Sequence, residues 1–348
     1  MMLSRPGRVL RLTAVAAAAS LALAACASGD DAPAEGEGLG DLTVQLSWIK
    51  NAEFAGEFMA DSKGYYTDAG FGEVTFNAGP GATENLVASG EADFGLTNAV
   101  TVGQVVANED APIKIVGTTF QKNPFTILSL RDGANIETIE DLRGKRIGVQ
   151  DGGNGLLFDA LLAANGLTAD DVEIVPVQYD PQPLVNGEVD GFLAYVTNES
   201  IIVEAQGEEV TNLLFADNGL PFVAESVIAT DETIAERPEV VKAFLEAEIR
   251  GWTDACADLE EGARLAVEEY GADLDLELEK EVEQNTIQCE ELVSSDETAE
   301  NGLFTISDEL LAQNIETFEA AGIDATQEDV FDLSLLDELL AEKPELKG

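Results

Sequence analysis

An α/β fold of two similarly built lobes, facing each other across a cleft, is what this 348-residue sequence predicts. Three observations predict it. Strand-like and helix-like stretches alternate from residue 42 to residue 196, the mark of an open sheet with helices on its faces. One short pattern is nearly written twice, as "ENLVASGEADFGLTNAV" (84–100) and "PLVNGEVDGFLAYV" (183–196). The part able to fold holds about 300 residues, more than one comfortable core.

The first run reads as strand 42–48, helix 53–66 closed at Gly64, strand 73–79, helix 82–89, strand 92–98, helix 101–109 and strand 113–120. The second run reads as strand 145–150, helix 155–165 with Gly166 behind it, strand 172–177, a short helical turn near 181–186 and strand 189–196. "NPFTILSL" (123–130) and "LPFVAESVIAT" (220–230) bracket that run as extended Pro-Phe strands. They read as a hinge pair, so residues 42–122 with 223–348 form lobe 1 and residues 123–222 form lobe 2. From 231 onward apolar residues recur at three- and four-residue spacing, a mostly helical tail. No tandem repeat or heptad array is present.

The repeated pattern is one helix-to-strand step used in each lobe. A helix stops at Gly90 or Gly187, an acid follows, and a strand begins behind Asp93 or Asp190. Aligned this way, Leu86-Val87 match Leu184-Val185. Thr97 and Asn98 after one strand, and Tyr195, Thr197, Asn198 and Glu199 after the other, fall at the carboxyl ends, where open α/β sheets bind ligands.

The N-terminus reads as a secretion signal over 1–25: Arg5, Arg8 and Arg11 precede the apolar run 12–25, which is short for a membrane span. "LAAC" ends it and resembles the lipobox of bacterial lipoproteins, with Cys26 as the lipidated residue. Residues 26–41 are small, polar and acidic and read as a flexible linker. Over the whole sequence, 68 acids against 18 bases give a net charge of −50. That excludes nucleic-acid binding, fits a solvated acidic coat and weighs against a strongly anionic ligand. The chain has no histidine, so Ser-His-Asp or Cys-His catalysis and a His-ligated zinc site are excluded. Cys256 and Cys289 remain as either a disulfide or two buried thiols; a bridge closing about 33 residues would contribute roughly 3–4 kcal/mol.

"W-x-x-N-A-E-F-A-G" (48–56), "KGYY" (63–66), "AGFGEVTF" (69–76), "VASGEADFGL" (87–96), "IEDLRGKRIGV" (139–149) and "LVNGEVDGFLAYVTNE" (184–199) carry a family resemblance. Over 42–250 the chain resembles the NMT1/THI5-like (SsuA/THI5-like) solute-binding proteins of ABC importers. The resemblance implies a two-lobed, type II periplasmic-binding-protein-like fold with the ligand between the lobes. It implies a monomeric, lipid-anchored, extracytoplasmic protein without cofactor, delivering its ligand to permease and ATPase subunits. Among ligands it puts a thiamine pyrimidine precursor (hydroxymethyl- or formyl-aminopyrimidine) first, riboflavin second, and alkyl sulfonates, taurine or nitrate third. Eukaryotic relatives include a pyrimidine synthase that consumes an active-site histidine with pyridoxal phosphate, a route closed to a chain without histidine. A surface adhesin is the reading from a different class.

Candidate ligand contacts follow. Trp48 is either a lid on the core or a stacking plate, and the resemblance implies the plate. Asn51 and Phe54 share its neighbourhood, Asn51 as a hydrogen-bond partner and Phe54 equally as core. Asn98 ends the first-lobe strand. "GVQDGGNGLLFDALL" (148–162) turns from strand to helix through glycines, offering Asp151, Gly152, Gly153 and Asn154. In "YVTNES" (195–200), Tyr195 is placed to stack or donate, Asn198 to pair with ring nitrogens and Glu199 to accept from an exocyclic amine. The same run also reads as a helix N-cap. Tyr179 is a lesser candidate.

Overall fold

Among the residues described by the computed structural model, 38–151 and 153–347, ten strands sort into two five-stranded sheets. The expected signal segment, Cys26, the linker up to residue 37 and Gly152 lie outside the described residues. The first sheet runs β2-β1-β3-β10-β4, with β1 Gly40–Gln45, β2 Phe71–Asn77, β3 Phe94–Thr97, β4 Ile113–Phe120 and β10 Ala224–Thr230. The second runs β7-β6-β8-β5-β9, with β5 Phe125–Leu130, β6 Arg146–Gln150, β7 Glu173–Val177, β8 Gly191–Tyr195 and β9 Val210–Leu214. In each, the first three strands in spatial order are parallel and the fourth is antiparallel to both neighbours. The two-lobed α/β fold expected from the sequence is therefore present.

The chain crosses between the sheets over 121–124 and returns over 215–223. The crossings lie side by side, because the Asn123 side chain donates to Leu220 O at 2.9 Å and accepts from Phe125 N at 2.8 Å. The stretch 220–230 does not form one strand: β10 starts only at Ala224, and the residues before it belong to the crossing.

The repeated sequence step is a repeated hydrogen-bond device. Asp93 N donates to Thr43 O at 2.9 Å while Thr43 N donates to Asp93 Oδ2 at 2.8 Å. Asp190 N donates to Arg146 O at 2.7 Å while Arg146 N donates to Asp190 Oδ2 at 2.9 Å. Each aspartate thus latches the start of its own strand to the central parallel strand, at Thr43 within β1 and at Arg146 where β6 begins. Gly90 and Gly187 end the preceding helices with φ of 75° and 70°, a left-handed conformation that favours glycine. Counting back from these glycines, Gly90 N bonds to Val87 O and Gly187 N to Leu184 O. Val87 is therefore the counterpart of Leu184, one residue out of the register that the letters suggest.

Other boundaries differ locally. The structured part already includes 38–41, with β1 beginning at Gly40 rather than residue 42. The helix expected over 53–66 is a 3-10 turn Ala52–Phe54, a helix Ala55–Ser62 and, past a left-handed Gly64, a helix Tyr65–Ala69. β9 was not read in the sequence, and helix Glu199–Ala205 was read only as the alternative cap in 195–200.

Helices of the last hundred residues wrap the first lobe. Phe244, on helix Pro238–Ala257, stacks on Phe94 of β3 with ring centroids 4.1 Å apart. Cys256 near the end of that helix is bonded to Cys289, which follows helix Leu278–Gln288. No helix among the described residues is long and apolar enough to cross a membrane.

Candidate functional site

Where the carboxyl ends of the two sheets face each other, a cleft is lined from both lobes. The first lobe contributes Ser47, Trp48, Glu53, Glu84, Thr97, Asn98 and Glu225; the second contributes Phe125, Gln150, Asp151, Asn154, Tyr195, Asn198 and Glu199. Among the described residues, no lysine or arginine lines it.

Trp48 lies in the loop after β1, three residues past the strand's end, and is 8% exposed. Its loop is fixed by Gly79, whose N–H donates to Trp48 O at 2.7 Å. A Cβ at Gly79 would fall 2.4 Å from Ser47 O, so only glycine permits this approach. The buried indole Nε1 of Trp48 has no hydrogen-bond partner. An orphaned buried donor in a cleft wall is costly by itself and is suited to a ligand acceptor.

Asn51 and Phe54 do not reach the cleft. The Asn51 side-chain oxygen accepts from Glu53 N and caps the 3-10 turn. Phe54 is fully buried and packs edge-on to Phe58 with centroids 6.3 Å apart. The turn directs Glu53 to the cleft and Phe54 to the core. Its first residue, Ala52, is held on both sides: its N–H donates to Glu281 at 2.7 Å and its carbonyl accepts from Gln288 at 2.6 Å.

Glu53, absent from the sequence-based list, belongs to the centre of the site. The Ser47 hydroxyl lies 3.1 Å from Glu53 Oε1 and 2.9 Å from Glu225 Oε2. From the opposite lobe, the Tyr195 hydroxyl donates to Glu225 Oε1 at 3.0 Å. Glu225, also missed, sits in β10 with φ of 45°. A non-glycine residue held there costs of order 1–3 kcal/mol and persists only where its surroundings over-determine it, typically at functional sites. Burial raises Glu225 to about 7 even though Ser47, Tyr195 and Glu53 hydrogen-bond to it and pull the other way. Glu53 is also held well above its ordinary value, through burial first and then the negative charge of Glu225 and Glu199. Burial likewise keeps the Tyr195 phenol protonated and able to donate.

Glu199 is 3% exposed and is raised to about 7 by burial. It accepts from Tyr195 N at 2.8 Å and from Asn198 Nδ2 at 3.0 Å. Of the alternative reading as a helix cap, the position forms but not the bond: Asn198 stands at the cap of helix Glu199–Ala205 with Glu199 in its first turn, yet its side chain makes no cap bond and is turned to Glu199. Asn98 is a true cap, accepting from Thr101 N at 3.0 Å while also lining the cleft. Asp151, Gly153 and Asn154 line the second-lobe wall, where Asn154 Nδ2 donates to Gln150 Oε1 at 3.3 Å. Tyr179, 39% exposed, is not part of the lining. Glu84 is a further missed acid, buried on helix Thr83–Ala88 and receiving a bond from the Thr97 hydroxyl. The legible signal for Glu225 was a lone carboxylate inside the apolar strand "LPFVAESVIAT", expensive to bury without a reason.

Chemically, the cleft combines aromatic surface (Trp48, Phe125, Tyr195) with buried acids and amides and lacks a cationic side chain. It suits a planar ligand with N–H and O–H donors, and it disfavours anions.

A family model described as "NMT1/THI5 like" matches residues 51–261. The riboflavin-binding protein RibY of Chloroflexus aurantiacus is 30% identical over 337 residues, 92% of each chain. A formylaminopyrimidine-binding protein of Halalkalibacterium halodurans is 23% identical over 63% of this chain and 67% of its own. A 4-amino-5-hydroxymethyl-2-methylpyrimidine phosphate synthase of Schizosaccharomyces pombe is 27% identical over 59% and 63%. Among solved structures, the alkanesulfonate-binding protein SsuA of Xanthomonas axonopodis pv. citri, bound to MOPS, superposes with a TM-score of 0.62 at 15% identity, covering 84% of this chain and 98% of that one. This last likeness concerns the fold.

Proposed function

Since the chain belongs to the NMT1/THI5-like family, we propose that it captures a planar nitrogen heterocycle outside the cytoplasmic membrane and hands it to an ABC importer. The observation that carries the ligand class is the cleft itself: aromatic walls, four buried glutamates and, among the described residues, no basic one. A sulfonate or nitrate would enter that field without a counter-charge. Riboflavin is the first candidate, supported by the relative that matches over nine-tenths of both chains. Its ring system would lie against Trp48 and Tyr195 and its hydroxyl chain along the polar wall of Gln150, Asp151 and Asn154. An aminopyrimidine of the thiamine type is the second reading, favoured by Glu199 and Glu225, whose carboxyls accept from exocyclic and ring N–H groups.

Transport is preferred to catalysis because a histidine-consuming synthesis has no histidine to draw on here. Capture proceeds by closure of the lobes about the paired crossings at 121–124 and 215–223. Release requires reopening, so affinity should fall in the nanomolar to micromolar range. Lipidation at Cys26, a monomeric state and the importer subunits as partners belong to the same reading.

The test is a thermal-shift panel with riboflavin, hydroxymethyl- and formyl-aminopyrimidine, thiamine, taurine, an alkyl sulfonate and nitrate. A ligand bound only by the folded form adds about 2.7 kcal/mol at a hundredfold excess over its dissociation constant. A shift of several degrees with riboflavin alone supports the first reading, one with a pyrimidine alone the second, and one with an anion alone overturns both. For the hit, Trp48→Ala is expected to weaken binding at least about tenfold, the value of one aromatic stacking contact.

A further inference from the structure

Three carboxyl groups gather where the lobes meet, and among the described residues no cation accompanies them in the cleft lining. Glu53 and Glu225 come from the first lobe and Glu199 from the second, each at most 3% exposed. Every titratable group facing them is an acid or a phenol. Tyr195 of β8 bridges to Glu225, while Glu84 and Asp151 line the cleft around them. Behind the cluster, Glu57 on helix Ala55–Ser62 is buried beside Glu248 on helix Pro238–Ala257. Opening the cleft would return Glu53, Glu225 and Glu199 to water; closing it strips their hydration and draws Glu199 towards Glu53. Carboxyls buried together without a counter-charge hold protons instead of ionising together. Glu225 is fixed in this crowd by a left-handed backbone, so it cannot simply relax away.

We propose that closure of the cleft is linked to proton uptake: the lobes close with protons held on the Glu53–Glu225–Glu199 cluster and part as those carboxyls ionise. The inference rests on the two-lobe capture reading above, but on neither candidate ligand. Tyr195 acts as a positioning residue, its hydroxyl joining the second lobe to the first-lobe acids in the closed form.

The sign follows from proton counts. Solvated carboxyls in the open form titrate near the usual value, whereas in the closed form Glu199 and Glu225 titrate near 7 and Glu53 is raised well above its ordinary value. The closed form therefore binds more protons across this window, and the ratio of closed to open falls as pH rises. Each proton taken up on closure contributes about a tenfold fall per pH unit. Low pH favours capture and higher pH favours release.

Small-angle X-ray scattering of the full, ligand-free chain between about pH 5 and pH 9 tests this. The expected result is a radius of gyration that grows with pH in the wild type. It should stay small in the Glu53→Gln, Glu225→Gln double variant and be larger at every pH in Tyr195→Phe. A wild-type radius that ignores pH, or a double variant that expands in parallel with it, overturns the proposal. If circular dichroism shows the double variant unfolded, Glu199→Gln is read in its place: a reduced pH response supports the proposal and an unchanged one overturns it. Because no ligand is present, failure of the ligand panel leaves these curves intact, and flat curves leave the ligand reading intact.

Discussion

Where each sheet receives the strand behind its latching aspartate, the first lobe has Phe94 followed by Gly95 and the second has Gly191 followed by Phe192. The registers correspond: Phe94 sits opposite Val44 and Gly191 opposite Ile147. Successive residues face opposite sides of a sheet, so the lobes have exchanged which face carries the large side chain. In the first lobe Phe94 meets Phe244 of helix Pro238–Ala257. In the second, a Cβ at Gly191 would already meet Ile127, Ile136 and Ile147 within 3.0 Å. The other faces complement this. Gly95 leaves room for Thr83 and Val87, while Phe192 packs over Gly148 and Val177. The backbone plan is shared because the latch and the strand order are shared; side-chain volume follows whatever covers each face. The C-terminal helices give the first lobe a thick cover, and the second closes the same face with its own loop.

The contrast can be broken most forcefully at Phe94. Phe94→Ala removes a fully buried ring and is expected to cost about 3–5 kcal/mol, measured by urea unfolding. An effect below 1 kcal/mol would mean that the Phe244 contact is not what organises this face. Gly191→Ala is the reverse experiment, overpacking instead of emptying, with an expected cost of roughly 1–3 kcal/mol. A neutral result would show that the three isoleucines can retreat. The smallest effects concern the latches. Asp93→Ala and Asp190→Ala each leave a backbone N–H of the central parallel strand, Thr43 or Arg146, without its carboxylate, costing about 1 kcal/mol. Asp190 also pairs with Arg146 at 2.8 Å on a partly exposed surface, a contribution of at most about 1 kcal/mol that salt screens. The Asp190→Ala deficit should therefore shrink at high salt while the Asp93→Ala deficit holds. Hydrogen bonds from Arg146 hold the Asp190 carboxyl below its usual range. This contribution is present above the ordinary aspartate value and is lost as pH falls through the lowered one. Unfolding midpoints followed into acid check the sign.

Much of this plan was readable because it is local. "IKIVGTTF" has the apolar content and flanking signals of a strand, and it forms β4 over Ile113–Phe120. The two glycine-acid-aspartate steps announced the two sheets, yet matching letters placed Leu184 beside Leu86, whereas the helix-ending glycines place it beside Val87. The site was less readable because it is not local. Which of Asn51, Glu53 and Phe54 faces the cleft depends on a three-residue 3-10 turn, which periodicity cannot resolve. Glu225 joins Glu53 only once the chain has returned through the second crossing, more than 170 residues later, as the 178-residue separation of Ser47 and Glu225 also shows.

Helix Leu278–Gln288 begins beyond the stretch that the family model matches, 51–261. Its residues Glu281 and Gln288 nevertheless grip Ala52, the neighbour of Glu53, and the Cys256–Cys289 bond moors the helix to the rest of the lobe. The floor of the cleft is thus set from a region outside the stretch that the family model matches. A chimera carrying this protein's 42–250 on another member's tail would inherit the recognisable motifs but not the placement of Glu53. Selectivity in such a lineage can drift by exchange of its scaffolding, with every residue that faces the ligand unchanged.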